Sequence, residues 1–275
     1  MALKEHKRAI TRLFLVVLIL FLLCFGLFSC MSTLAKQGSA YVDLDNVHLI
    51  QLDQPEPDAP AMRMETSAGD IVAILYPEQA PAYVAQFQKL AEEGYYDGTY
   101  VFQVEQGVYF EAGTPNVDGS LKAGTDDTYE KVEQELTPEL WPFRGAFCVP
   151  ATSQEGGFWS RLTNSMKTYC GTRFAVCNTI TFDQAAKEEL SSVAEKAAVV
   201  NDAFLEQGGI PNYSQQMTIF AQAYGADSFA VIDKITGADL QEAQEESGYT
   251  APKEDIQILH ITFGTLAEMS EEETE

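Results

Sequence analysis

The chain has 275 residues, 46% of them hydrophobic and 11% aromatic, which is enough for a sizeable core and excludes global disorder. Lys and Arg number 17 against 41 Asp and Glu, a formal charge of −24; four of the cations and one of the acids lie in the first thirty residues, so the remainder carries −27. That remainder repels phosphate backbones, which excludes nucleic acid as a partner, and five cysteines are too few for a disulfide-built miniprotein.

Residues 1–12 are short and basic and read as a cytoplasmic segment. Residues 13–28 carry no polar side chain except Cys24, and the uncharged run reaches residue 35. A bilayer needs about 20 such residues, so 13–35 is a transmembrane anchor with the basic flank inside and the rest of the chain extracytoplasmic. The alternative is a lipoprotein signal, since Leu27-Phe-Ser-Cys30 is similar to a bacterial lipidation box with Cys30 as the modified residue. Residues 36–61 read as a linker that ends in the proline-rich Gln54-Pro-Glu-Pro-Asp-Ala-Pro60. Within it, the alternation at Val47–Ile50 predicts a short strand.

An ordered domain is expected over 62–264. Met62–Thr66 and Ile71–Tyr76 read as strands around a turn at Ser67-Ala-Gly-Asp70. Pro81 opens a helix whose Val84, Phe87, Leu90 and Ala91 share a face and which Gly94 ends. Thr99–Phe110, Phe143–Pro150 and Arg173–Ile180 have strand character. Residues 185–207 break the β pattern, with Leu190, Val193, Ala194, Ala197 and Phe204 on one helical face. Ile219–Ile235 mixes strand and helix, Asp255–Phe263 is a closing strand, and 265–275 is an acidic tail.

The run Thr66-Ser-Ala-Gly-Asp-Ile-Val-Ala-Ile-Leu-Tyr-Pro-Glu-Gln-Ala-Pro81, with Phe87, Leu90 and Gly94-Tyr-Tyr-Asp-Gly-Thr99, resembles the opening of the cyclophilin-type peptidyl-prolyl cis-trans isomerases. Tyr100–Pro115 follows the spacing of that family's F-H-R-V-I-P-G-F-M-I-Q-G-G-D-P segment. Arg144-Gly-Ala-Phe-Cys-Val149 matches R-G-x-L-S-M, and Gly171-Thr-Arg-Phe-Ala-Val176 matches G-S-Q-F-F-I. Gly208-Gly-Ile-Pro211 and Thr218-Ile-Phe220 sit where the family reads P-x-L-D-G-x-H-T-V-F-G, with 185–207 as a helical insertion. The resemblance implies a mainly β fold, an eight-stranded antiparallel barrel capped by two helices. It also implies isomerisation of Xaa-Pro bonds, assisting protein folding without a cofactor or metal.

Rotation about an Xaa-Pro bond is slow because amide resonance opposes it, with a barrier of roughly 18–20 kcal/mol. In the family an arginine donates to the prolyl nitrogen as its lone pair localises, a preorganised electrostatic stabilisation. Here that position is Gln103, and Glu111 stands in place of a glutamine. Val101, Val108, Tyr109, Phe174, Ala175, Asn212 and Met217 take the groove positions, with Val108 and Ala175 in place of phenylalanines. The resemblance therefore implies reduced or lost activity. The alternative is a non-catalytic module that binds proline-containing or basic segments of exported or surface proteins, steered by the −27 charge. Either way the expectation is a bacterial, membrane-tethered monomer. On the family topology Cys148 and Cys177 lie on neighbouring strands, as a disulfide or as buried thiols, with Cys170 unpaired.

Other chemistry is weakly signalled. Ser67, Ser160 and Ser165 have no histidine in a recognisable triad relation, and no cluster has zinc-ligand spacing. Asp126, Asp127, Glu133 and Glu135 could offer oxygens to Ca²⁺ but lack EF-hand spacing, and a solvated acidic face accounts for them.

Overall fold

The computed structural model describes residues 47–121, 131–157, 160, 166–192, 198–245 and 247–271. The segments 1–12 and 13–35, with Cys30, lie outside the described residues, as do Asp126 and Asp127. Among the described residues no helix is long and apolar enough to cross a membrane. The chain divides into two units, 1–41 with 155–166 and 42–154 with 167–275; the second holds the domain.

Alternating apolar residues make Pro60–Thr66 (β1) and Gly69–Leu75 (β2) an antiparallel pair, in register from Ala61↔Ile74 to Thr66↔Gly69. The tight turn between them is held by the Thr66 hydroxyl, which donates to Gly69 O (2.6 Å) and accepts from Ala68 N–H (3.1 Å). Tyr100–Glu105 (β3) and Tyr109–Thr114 (β4) form a second hairpin. Ala146–Val149 (β6), Phe174–Cys177 (β9), Thr218–Ala223 (β10) and Ile258–Thr265 (β11) complete an eight-stranded antiparallel sheet of order β11-β1-β2-β10-β6-β9-β4-β3. The sheet curls until its edges meet: Val101 N–H donates to Ile256 O and Ile258 N–H to Thr99 O, both at 2.9 Å. Val132–Glu133 (β5), Ala151–Glu155 (β7) and Lys167–Cys170 (β8) form a small second sheet.

Two helices cap the curled sheet. Pro81–Glu92 (α1) starts on proline and buries Tyr83, Val84, Phe87, Leu90 and Ala91. Its first turn is capped by Glu135, whose carboxylate accepts from Ala82 and Tyr83 N–H (3.1 and 3.0 Å), satisfying donors a helix start leaves open. Within the insertion, Gln184–Ser192 (α2) and Ala198–Gln207 (α3) are helical, while Val193, Ala194 and Ala197 of the expected helical face lie outside the described residues. Phe204 of α3 packs on Trp141 and Phe143, with ring centroids at 6.5 and 4.8 Å. Ala226–Thr236 (α4) sends Ile232 and Ile235 into the core. The core is the inside of the curled sheet: Met62, Met64, Phe87, Val101, Phe110, Phe147, Phe174, Val176 and Phe220 are buried together.

Two expectations give way. Val47–Ile50 forms no strand; Ile50–Leu52 is a single 3₁₀ turn. Gln51 explains why this part of the predicted linker is ordered: its amide donates to Trp141 O (2.9 Å) and Gln222 Oε1 (2.8 Å) and accepts from Trp141 N–H (2.6 Å). The acidic tail likewise begins as a helix, Leu266–Glu271 (α5), because Leu266 and Met269 bury against Ala61 and Val72.

Candidate functional site

Side chains alternate across a strand, so each strand of the curled sheet offers one face to the core and one outward. On β4, Phe110 and Ala112 point inward with the core while Tyr109 and Glu111 occupy the other face. On β9, Phe174 and Val176 are core, leaving Ala175 and Cys177 outward; on β6, Phe147 and Val149 are core, leaving Ala146 and Cys148. β3 keeps step only because of a bulge. Val101 pairs with Ala112 but Gln103 with Glu111, so Phe102 is the extra residue. Phe102 tucks under Tyr249, centroids 5.1 Å apart, and Gln103 emerges on the outer face.

Cross-strand pairing then builds two rows. Gln103, Glu111, Ala175 and Cys148 lie abreast across β3, β4, β9 and β6, and Glu105, Tyr109 and Cys177 form the next row. Above them the 3₁₀ turn Pro211–Tyr213 brings the Tyr213 ring to 6.0 Å from Tyr109, edge-on at 67°. Val108, Tyr109, Tyr213 and Met217 pack in one apolar cluster with Cys148, Cys177 and Ile219.

Gln103 is only 9% exposed. Its Oε1 accepts from Thr250 N–H at 2.6 Å, with the Thr250 hydroxyl at 3.3 Å. Glu111 is half-buried, and burial lifts its carboxyl pKa, opposed by the Arg173 guanidinium. Arg173 itself lies over the Phe102 ring at 5.5 Å. Burial raises the Tyr109 hydroxyl, reinforced by the Glu111 charge and opposed by hydrogen bonding from Gln103 and Tyr213. Tyr213 is raised by burial and by Tyr109. The arrangement has amide and phenol donors and a carboxylate over an apolar floor. It suits binding and polarising a peptide bond rather than covalent attack. Elsewhere Ser67 accepts from Gln257 N–H (3.0 Å), His260 pairs with Asp97 (3.1 Å) and His48 with Asp53 (2.8 Å), so no triad forms from these residues. Glu133 is bridged to Lys167 (2.6 Å).

Of the residues singled out by sequence, Gln103, Glu111, Val108, Tyr109, Ala175 and Met217 come together. Val101 and Phe174 do not: both are core side chains on the opposite face, Phe174 at 0% exposure. Strand parity sends Phe174 inward because its neighbour Ala175 faces out. Asn212 is exposed, and its neighbour Tyr213 enters the cluster instead. Sequence reasoning missed Tyr213, Arg173 and Thr250. Tyr213 and Arg173 adjoin residues the family pattern marks; Thr250 lies 147 positions from its partner and left no local signal. Cys148 and Cys177 are free thiols with sulfurs 3.5 Å apart, and Cys170 sits beside the Thr218 hydroxyl at 3.5 Å.

Several known proteins are similar to this chain. A Streptococcus pyogenes protein provisionally named a bifunctional phosphatase/peptidyl-prolyl cis-trans isomerase is 30% identical over 213 residues, 77% of this chain and 40% of that one. Human peptidyl-prolyl cis-trans isomerase-like 1 is 36% identical over 87 residues, 32% of this chain and 51% of that one. The chain thus spans about half or less of the length of these relatives. A Cryptosporidium parvum cyclophilin type isomerase, crystallised in the presence of the dipeptide Ala-Pro, superposes with a TM-score of 0.49 at 17% identity, covering 74% of this chain and 99% of that one. The family model described as Cyclophilin type peptidyl-prolyl cis-trans isomerase/CLD matches residues 61–263, about three quarters of the sequence, and the chain belongs to that family.

Proposed function

We propose that the domain is a membrane-tethered, extracytoplasmic peptidyl-prolyl cis-trans isomerase of reduced activity. The observation that carries the reading is Gln103: the bulge at Phe102 delivers it, nearly buried and hydrogen-bonded, to the outer face beside Glu111 and Tyr109. There an amide N–H can donate to a prolyl nitrogen as its lone pair localises. Hydrogen bonds to a charged group contribute about 1.5–3 kcal/mol against about 0.5–1.5 for neutral ones. An amide in place of a guanidinium therefore leaves catalysis lower by roughly ten-fold. The clients are proline-containing segments, with basic ones favoured by the −27 charge beyond residue 30. The tether is the apolar run 13–35, with lipidation at Cys30 as the other route.

The test is NMR exchange of an Xaa-Pro peptide with the full chain in detergent micelles. Exchange faster than in peptide alone, abolished by Gln103→Ala and raised roughly ten-fold by Gln103→Arg, supports the reading. No enhancement of exchange sinks it. A second reading, a non-catalytic peptide-binding module, is favoured by Ala175, which leaves the groove without an aromatic ring at that position. It predicts peptide shift perturbations without exchange.

A further inference from the structure

An arginine has no wrong end, because every polar atom of its guanidinium is a donor. A glutamine has one. Its terminal amide carries an acceptor oxygen on one side and two N–H donors on the other. At position 103 the difference decides the chemistry: an N–H facing a prolyl nitrogen stabilises the localised lone pair, and an oxygen facing it repels that pair. A glutamine in this role needs its flip fixed.

The segment before β11 supplies the means. Thr250 is clipped to β3 at two points: Val104 N–H donates to Thr250 O (2.9 Å), and the Thr250 hydroxyl donates to Val104 O (2.8 Å). The hydroxyl has one proton, and the shorter contact takes it to Val104 rather than to Gln103 Oε1 at 3.3 Å. What remains for Gln103 is the Thr250 backbone N–H, at 2.6 Å. A backbone N–H can only donate, so it accepts Oε1 as a neighbour and rejects Nε2. The reverse flip would set two donors against each other and leave a part-buried N–H unpaired. That biases the amide by roughly ten- to a hundred-fold. With Oε1 held by Thr250, Nε2 is the end of the amide left for the outer face, where Gln103 stands opposite Glu111.

We propose that Thr250 is the positioning residue of the site: its backbone N–H fixes the flip of Gln103 so that the donor end faces the groove, and its hydroxyl holds the segment to β3. The role rests on Gln103 acting as the donor under the proposed isomerase function. It touches no substrate itself.

The experiment uses the full chain in micelles, an Xaa-Pro peptide at saturation, and amide NMR. Thr250→Val keeps the shape and loses the hydroxyl; exchange at saturation falls roughly three- to ten-fold while peptide affinity stays within about two-fold. Thr250→Ser keeps both donors and exchanges like the unaltered chain. Gln103→Met leaves Thr250 intact and removes its acceptor, so the Thr250 amide proton moves upfield and loses protection from solvent exchange, reading the hydrogen bond even if Thr250→Val fails to fold. Thr250→Val exchanging as fast as the unaltered chain, or a Thr250 amide indifferent to Gln103→Met, overturns the proposal while leaving the isomerase reading intact. An unaltered chain that enhances no exchange removes the isomerase reading, and this role for Thr250 falls with it.

Discussion

Phe174→Ala removes a ring that meets four others: Phe87 at 5.7 Å, Tyr96 at 5.8 Å, Phe147 at 5.9 Å and Phe220 at 6.4 Å between centroids. The side chain is fully buried, so truncation loses the transfer free energy of the ring and leaves a cavity walled by rigid aromatics that cannot collapse into it. Phe→Ala in cores costs about 3–5 kcal/mol, and four ring contacts put this site near the upper end. Spread over a domain of this size, that lowers the melting temperature by roughly 8–20 °C, at about 2–4 °C per kcal/mol. The assay is thermal and guanidinium unfolding beside peptide titration at a temperature where the variant remains folded. Peptide affinity should be unchanged, because the ring lies on the far side of the strand from Gln103 and Glu111. A loss below about 1 kcal/mol together with lost peptide binding would place the ring in the groove and refute the division of the sheet into core and outer faces.

Two further perturbations probe the outer face. Burial raises the Glu111 pKa, so the folded state favours the protonated acid and the penalty for its charge is present at neutral pH. As pH falls through that raised value toward the ordinary carboxylate value of about 4.3, the penalty disappears. Glu111→Gln should therefore unfold at higher denaturant than the unaltered chain at pH 7 and converge with it in acid; an advantage that grows in acid would contradict the argument. Cys148 and Cys177 hold their sulfurs 3.5 Å apart, and their hydrogen bond and burial keep the Cys148 thiol protonated. Diamide, taking up two electrons and two protons, should join them slowly in the native state and faster in mild denaturant, protecting two thiols from later alkylation. Closing that loop of about 30 residues should add about 3–4 kcal/mol against unfolding. Cys148 and Cys177 both still open to alkylation after oxidation and unfolding would show that the strands hold them apart.

Much of the sheet is legible in sequence because it rests on local rules. Near-alternation marks β1 and β11, short apolar runs mark β2, β6 and β9, and Pro81 and Gly94 bracket α1. The site is harder to read for reasons that particular residues make plain. Phe174 and Ala175 match adjacent family aromatics, yet neighbours on a strand must face opposite ways, so only Ala175 can face outward. Val101 is misjudged for another reason: the bulge at Phe102 shifts parity, and no glycine announces it. Gln215 has a φ of +57° two residues before Met217, where the family pattern has glycine. A left-handed backbone is adopted freely by glycine and uncommonly by glutamine, so the residue at 215 gives no sign of the turn made there. Thr250 and Gln51 act through contacts across 147 and 90 or more positions, which only the folded chain brings together.

The placement of β1 has a consequence for synthesis. It lies between β2, its neighbour in sequence, and β11, made about 200 residues later: Ala61 pairs with Ile74 on one side and Gly264 on the other. At about 5–20 residues per second, the strand carrying Met62 and Met64 waits roughly ten to forty seconds with one edge open. During that interval its open edge is a ready template for another strand. Such long-range pairing also makes folding slow once the last strand arrives. The curled sheet therefore closes only when its last strand is made, and until then β1 presents an unpaired edge.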